Sequence, residues 1–405
     1  MSKDAKFLLI VAMLSAAGMS VAHTFVNVFL IRATDGDIAS MMLQNVMNFV
    51  MLLLAFITGT KLLVKIPITT ILKMGIASTS LYYIAILLLQ DHVATFVIPL
   101  GMFSGIGMGL FWFAANLLVG EVVKESEQGR YFSYQRTVGF IFGVVTPAVS
   151  GFIITQFTDL TGYYLLFGAS LIFFGFAALM AKYIPSYTTD VQMRIFEVLK
   201  VKNNPYWRAG KLYAFITGLR NAVEGQVTTV FAFIIFADER VMGNVSSVVA
   251  IVSIFSCLWF AKVFTQRKKR SFYFITAVLT FITHVFLALF PNPVVLIIAW
   301  IVLALIRNWG DTSAQTLMLQ LCSRAKAGYD KGEYLIGLEF PMAVGRMIGL
   351  FSALGLILAI YNEMYVYRLL FVFIGLVWLV EFFVIDKEVK WLRDDIEEKV
   401  GEAHG

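Results

Sequence analysis

The chain has 405 residues, of which 59% are hydrophobic and only 14% charged, and its mean hydropathy is +0.81. Soluble domains run nearer half apolar and a quarter charged, so a string of soluble domains is excluded. The net charge of +6 has a membrane explanation, given below, and calls for no nucleic-acid partner. Cys257 and Cys322 offer neither metal-ligand spacing nor a disulfide framework.

In chain order, long apolar runs predict spans at about 7–32, 38–63, 69–90, 95–120, 131–158, 163–185, 208–236, 244–265, 271–290, 294–322, 333–359 and 363–385. A bilayer core about 30 Å thick needs roughly 20 apolar residues per helix, and an open strand cannot satisfy its backbone in lipid. The first run follows Lys3 and Lys6 but is too long for a signal-peptide core, so it is read as a retained helix. The expected fold is an all-α integral membrane protein with twelve transmembrane helices in two pseudo-symmetric six-helix bundles. Residues 1–185 form the first bundle, 186–207 a cytoplasmic linker, 208–386 the second bundle and 387–405 a charged cytoplasmic tail. Within the linker, Asp190 to Lys202 is amphipathic and is expected to lie on the membrane surface.

Loop charges set the expected orientation. With the N-terminus cytoplasmic, 25 of the 32 Lys and Arg fall in inside segments, and only Arg32 and Arg240 fall outside. That asymmetry predicts both termini inside a cell membrane. The halves also echo each other. Gly129-Arg130-Tyr131 opens span five and is followed by Gly139 and Gly143; Gly332-Glu333-Tyr334 opens span eleven and is followed by Gly345 and Gly349. Weak internal symmetry of this kind accompanies duplicated transporter folds.

Two sets of six spans, a longer link between them, and Gly143-x-x-x-Pro147-x-x-x-Gly151 in span five resemble the major facilitator superfamily. Phe111-Trp112-Phe113-Ala114-Ala115-Asn116, with the loop from Glu121 to Arg130, is similar to that family's fourth span and following loop. The stretch from Gly59 to Pro67 keeps Lys61 and Lys65 but lacks the acid of the family's signature loop, so no subfamily is assigned. The resemblance implies that spans one, four, seven and ten line a central cavity and that transport proceeds by alternating access.

Ionisable residues inside apolar spans cost about 2.5–3.5 kcal/mol each by insertion scales and usually face a cavity or a partner. Span seven carries Arg220 and Glu224, span ten carries Arg307 and Asp311, and each pair is four residues apart on one helical face. One reading makes these four a substrate and coupling site. The arginines would hold a carboxylate or phosphate, and Glu224 or Asp311 would carry a proton. The other reading makes each pair a structural salt bridge. Asn308 and Gln315 in span ten, His23 and Asn27 in span one, Trp112 and Asn116 in span four and Arg346 in span eleven complete the candidate binding set. Packing competes with binding for His23 and Trp112, and helix–helix hydrogen bonding competes for Asn116. Arg136 and Glu339 stand seven residues past the glycines of the repeated motif and are candidate gating residues; for Arg136, snorkelling to the interface is the alternative. His284 is expected to be structural on a peripheral helix, and Arg368 and Glu381 are expected to snorkel at the ends of span twelve.

No catalytic residues, metal ligands or cofactor motifs stand out: there is no His-Glu-x-x-His, Gly-x-Ser-x-Gly or aspartate pair. The expected function is a secondary transporter, proton-coupled, for an amphipathic or anionic small molecule. It is expected to act as a monomer among membrane lipids, with the direction of transport open. A flippase of a lipid or lipid-linked glycan is the alternative on the same fold, and a non-transporting receptor or assembly factor the alternative of another class.

Overall fold

The computed structural model describes residues 1–188, 195–202, 204–263, 268–325, 331–360 and 362–388. Twelve long helices are found among them: α1 Lys3–Ala33, α2 Ile38–Leu62, α3 Ile68–Leu89, α4 Val97–Val122, α5 Glu125–Ile154, α6 Thr161–Ala181, α8 Pro205–Phe236, α9 Glu239–Val263, α10 Lys269–Leu289, α11 Pro293–Arg324, α13 Glu339–Ala359 and α14 Glu363–Glu388. Two short helices, α7 Ile195–Lys200 and α12 Lys331–Gly337, lie between them, and a 3₁₀ turn over Gln90–Phe96 leads into α4. Eleven of the long helices are apolar enough to cross a membrane by composition. The twelfth, α8, has 32 residues, or about 48 Å at 1.5 Å per residue. Arg220, Asn221, Glu224 and Gln226 dilute its hydropathy. These are the twelve transmembrane helices of an all-α integral membrane protein.

Boundaries follow local chemistry. Ser2 Oγ accepts from the Ala5 amide at 3.1 Å and caps α1. Asn292 Oδ1 accepts from the Val295 amide at 3.0 Å, and Pro293 occupies the first turn of α11, where its missing N–H costs nothing. The predicted eleventh span, 333–359, is broken at Leu338 into α12 and α13. Pro341 lacks the amide that would bond the Gly337 carbonyl, and its ring crowds that carbonyl.

By packing, the chain divides into two compact units: Met1–Gln192 with Thr228–Ile254, and Met193–Val227 with Phe255–Gly405. In the first, α4 lies against α2 along Gly101, Gly105 and Gly109, which face the backbone of Gln44, Asn48 and Leu52. Side chains stitch the same seam. Asn48 Nδ2 donates to Ser104 Oγ at 2.9 Å, Asn45 Nδ2 to Asn27 Oδ1 at 3.1 Å and Gln44 Nε2 to Tyr82 Oη at 3.3 Å. This unit also holds the end of α8 and the start of α9. Gly151 of α5 abuts the Glu239 carbonyl, Gly243 abuts the Pro147 carbonyl, and the Ala148 amide donates to Ser247 Oγ at 3.1 Å.

In the second unit α10 packs between α11 and α14. Gly218, Gly345 and Gly349 let α8 and α13 cross with backbones touching. Here the sequence repeat and the structure part company: Gly139 and Gly143 have open space where a Cβ would stand, among the described residues. The amphipathic stretch before α8 lies partly outside the described residues. Its helical part, α7, buries Val198 against Trp207, Tyr334 and Leu338. The 387–405 tail is outside the description from residue 389 onward.

A methyl at Gly105 would fall inside the radius of the Asn48 carbonyl oxygen. Overpacking of this kind costs about 1–3 kcal/mol, more than the roughly 1 kcal/mol that Ala gains over Gly in a helix. Gly105→Ala therefore lowers the thermal unfolding midpoint of the detergent-solubilised protein. Gly139→Ala, where a methyl meets nothing, leaves it unchanged or raises it.

Candidate functional site

Four helices of the second unit bring six ionisable side chains together. One turn of α8 separates Arg220 from Glu224, and one turn of α11 separates Arg307 from Asp311; α10 contributes His284 and α14 contributes Glu381. Arg220 is 2% exposed and Glu381 is fully buried. Arg220 Nε donates to Glu381 Oε2 at 2.8 Å, and its guanidinium lies over the Trp378 ring at 3.6 Å. Thr217 Oγ1 and Tyr273 Oη donate to the other Glu381 oxygen at 3.1 and 2.9 Å. Glu381 thus accepts from three side chains, and a buried carboxylate requires that many partners to offset its lost hydration. Asp311 stands 3.9 Å from Arg220 Nη2 with its side chain 47% exposed.

Glu224 is the hinge between the two arginines. Its Oε2 lies 3.7 Å from Arg220 Nη1 and 2.8 Å from Arg307 Nη2, and its Oε1 faces His284 Nε2 at 3.7 Å. Arg220 Nη1 is a buried donor with no hydrogen-bond partner among the described residues, a place for a water or a ligand atom. With His284 neutral, two guanidiniums meet three carboxylates, so the cluster carries one negative charge more than it balances.

The structure therefore joins Arg220, Glu224, Arg307 and Asp311. Asn308 lies half-buried on the same helix as the last two, and the side chains of Gln315 and His23 lie outside the described residues. The other candidates stand apart from this cluster. Asn27 is buried against Asn45, Trp112 is about one-third exposed beside Phe111, and Asn116 is exposed. Arg346 pairs with Glu339 on its own helix at 3.6 Å and contacts Met342 Sδ at 3.0 Å, while Arg136 is exposed. Two expectations are corrected. Glu381 does not snorkel but is the most buried acid of the cluster, and His284 is no peripheral packing residue but faces Glu224. A carboxylate inside Leu-Val-Glu-Phe-Phe was the available signal for the first.

A second polar cluster lies in the first unit, where α1 ends and α6 and α9 begin. Glu239, 3% exposed, accepts from Tyr163 Oη at 2.8 Å and pairs with Arg32 Nη2 at 2.5 Å. Arg32 also lies over Phe233. A cavity of about 350 Å³ beside it is lined by Asp35, Gly36, Asp159 and Leu160. Asp159 accepts from the Thr161 amide at 3.0 Å, and that bond holds its carboxyl below the usual range.

Long apolar helices around buried, paired charges are the build of a multi-pass membrane transporter. The chain belongs to the major facilitator superfamily, whose model matches residues 8–335. It is 27% identical over 270 residues to the Uncharacterized protein YqgE of Bacillus subtilis (strain 168), covering 66% of this chain and 62%, under two thirds, of that relative. Over 166 residues it is 26% identical to an Uncharacterized protein in sodM 3'region of Geobacillus stearothermophilus, covering 41% of this chain and 77% of the other. Among solved structures, the nucleoside transporter NupG superposes with a TM-score of 0.71 at 12% identity, over 96% of this chain and 100% of that one. An inward-facing bacterial homologue of the iron transporter ferroportin gives 0.67 at 12%, over 94% and 100%. A POT family transporter in complex with thioalcohol conjugated peptide gives 0.70 at 10%, over 94% and 95%. At these identities the likeness is one of fold.

Removing one partner of a buried ion pair costs about 3–5 kcal/mol, whereas a half-exposed pair is worth about 1 kcal/mol at most. Glu381→Leu removes the nearest counter-ion of Arg220 and the acceptor of the Thr217 and Tyr273 hydroxyls, and is expected to lower the unfolding midpoint sharply. Asp311→Asn leaves it nearly unchanged. Intrinsic-fluorescence melts of the two variants in one detergent check the order.

Proposed function

We propose that this protein is a proton-coupled secondary transporter of an anionic or amphipathic small molecule, with solute and proton both handled by the charge cluster of the second unit. The observation that carries this reading is an unequal pair: Arg307 has a side chain 38% exposed, while its counter-ion Glu224 is 3% exposed. Ionised Glu224 occupies Arg307. Protonated Glu224 gives up most of that attraction and leaves a partly exposed guanidinium, whose planar fork fits a carboxylate or phosphate. Proton and anion then favour each other's binding, which is the linkage a symporter needs. Asp311, half exposed at 3.9 Å from Arg220, offers the proton a way in from water.

In this reading the chain works as a monomer in the cell membrane, with both termini cytoplasmic as the loop charges predict, by the alternating access of its family. Lipids are its solvent, no cofactor takes part, and no nucleic acid is a partner.

A thermal-shift screen of the purified protein tests the reading, with anionic sugars, lipid headgroups, amphiphilic drugs and peptides at several pH values. Ligand binding raises stability by mass action. Anionic compounds are expected to stabilise the native protein, and more strongly as pH falls and Glu224 protonates. Arg307→Ala should weaken the hit about tenfold or more, the worth of a lost charged hydrogen bond. Glu224→Gln should bind the same compound with no dependence on pH. Stabilisation by cationic compounds alone would overturn the anion reading. Stabilisation by lipids alone would move the assignment to a flippase.

A further inference from the structure

His284 sits in the apolar run Phe281-Ile282-Thr283-His284-Val285-Phe286 of α10, and its ring geometry determines where a proton belongs. Nδ1 lies 2.8 Å from the Thr280 carbonyl oxygen. A carbonyl only accepts, so Nδ1 bears the proton of the neutral ring. Nε2 is then a bare lone pair, and it faces Glu224 Oε1 at 3.7 Å, with side-chain exposures of 1% and 3%. Two acceptors turned toward each other away from water repel and leave both unsatisfied. A single proton between them removes the conflict, and a side-chain shift of under about 1 Å brings the pair to hydrogen-bond length.

We propose that His284 Nε2 and Glu224 Oε1 together hold the proton whose arrival releases Arg307. The part this proton plays in transport rests on the transport reading above; its presence at the pair does not. The other charged groups around the pair are Arg220 on α8 and Arg307 on α11, both facing Glu224, with Asp311 and Glu381 beyond Arg220. From α14, Phe371 lies 6.0 Å from the ring between centroids, and Gly375 packs beside Phe281 and the His284 Cβ. Gly375 matters here: a methyl there would stand 3.2 Å from the Phe281 Cα and 3.3 Å from the His284 Cβ, so a larger residue would push α14 off the histidine.

The chain has four histidines, and replacing His23, His92 and His404 by Gln leaves His284 as the single ring for nitrogen-15 NMR of the full chain in phospholipid nanodiscs. The expected native spectrum shows protons on both ring nitrogens at low pH and loss of the Nε2 proton as pH rises across the range in which the protein stays folded. Glu224→Gln is expected to abolish that signal and hold the ring neutral, with its proton on Nδ1, across the same range. A native ring whose Nε2 stays bare throughout would overturn the proposal, as would an unchanged titration in Glu224→Gln. The native measurement alone decides if the variant folds poorly. A protonated pair in a protein that binds no anion would count against the transport reading alone, and anion binding that strengthens at low pH with a bare Nε2 would count against this inference alone.

Discussion

A guanidinium that is 2% exposed on a membrane-spanning helix has to find its counter-charge inside the protein. Arg220 cannot be neutralised by losing a proton, since its pKa is too high, so the helices around it must bring carboxylates. Glu381 comes from α14, Glu224 from one turn along α8, and Asp311 from α11. Trp378 supplies the face of an aromatic ring at 3.6 Å, and Gly310 lets α11 approach that same tryptophan and Thr276 of α10. The arrangement of α8, α10, α11 and α14 can be read as the solution to this one requirement. The closest ion pair of Arg220, at 2.8 Å, is also the most buried, as expected where charge attraction is strong and any unmet charge is costly.

That solution leaves the charges unbalanced, and the imbalance is graded. Glu381 has three donors and no exposure, so it serves as a fixed counter-ion. Glu224 is shared between two arginines and a histidine, with distances of 2.8 to 3.7 Å. It is the acid whose partners are least settled, and Arg307, its strongest partner, is the cation most open to its surroundings. A structural salt bridge would put both partners in comparable burial. The pair Arg220–Glu381 meets that description and the pair Arg307–Glu224 does not.

Much of this was legible in the sequence. Spans longer than a bilayer core declare themselves by apolar length, and the four charged residues of α8 and α11 declare themselves by rarity. Gly101, Gly105 and Gly109 let α4 approach α2 closely. What escaped is what depends on which way a helix is turned. Glu381 stands near the end of its helix, where snorkelling and burial look alike along the chain; the Tyr273 and Thr217 hydroxyls that hold it come from 108 and 164 residues away. His284 looked peripheral because its helix is not among the four spans expected to line the cavity. Repeat symmetry misled in a related way: Gly345 and Gly349 carry a helix crossing, whereas their sequence counterparts in α5 carry none. A repeat preserves residue types more readily than it preserves the contacts they make.

The two units consequently do different physical work. The first is held by glycine seams and neutral amide and hydroxyl pairs such as Asn48–Ser104 and Asn45–Asn27. Such bonds are worth about 0.6 kcal/mol on average inside membranes, and they do not change with pH. The second concentrates its buried polar contacts in charges, and Glu224 takes part in three of these pairings. Any change at Glu224 therefore acts on all three at once. In the first unit the buried Glu239 meets Arg32 and the Tyr163 hydroxyl, whereas in the second three acids share two arginines, so the same cost of burying charge is met pair by pair in one and leaves a surplus of negative charge in the other.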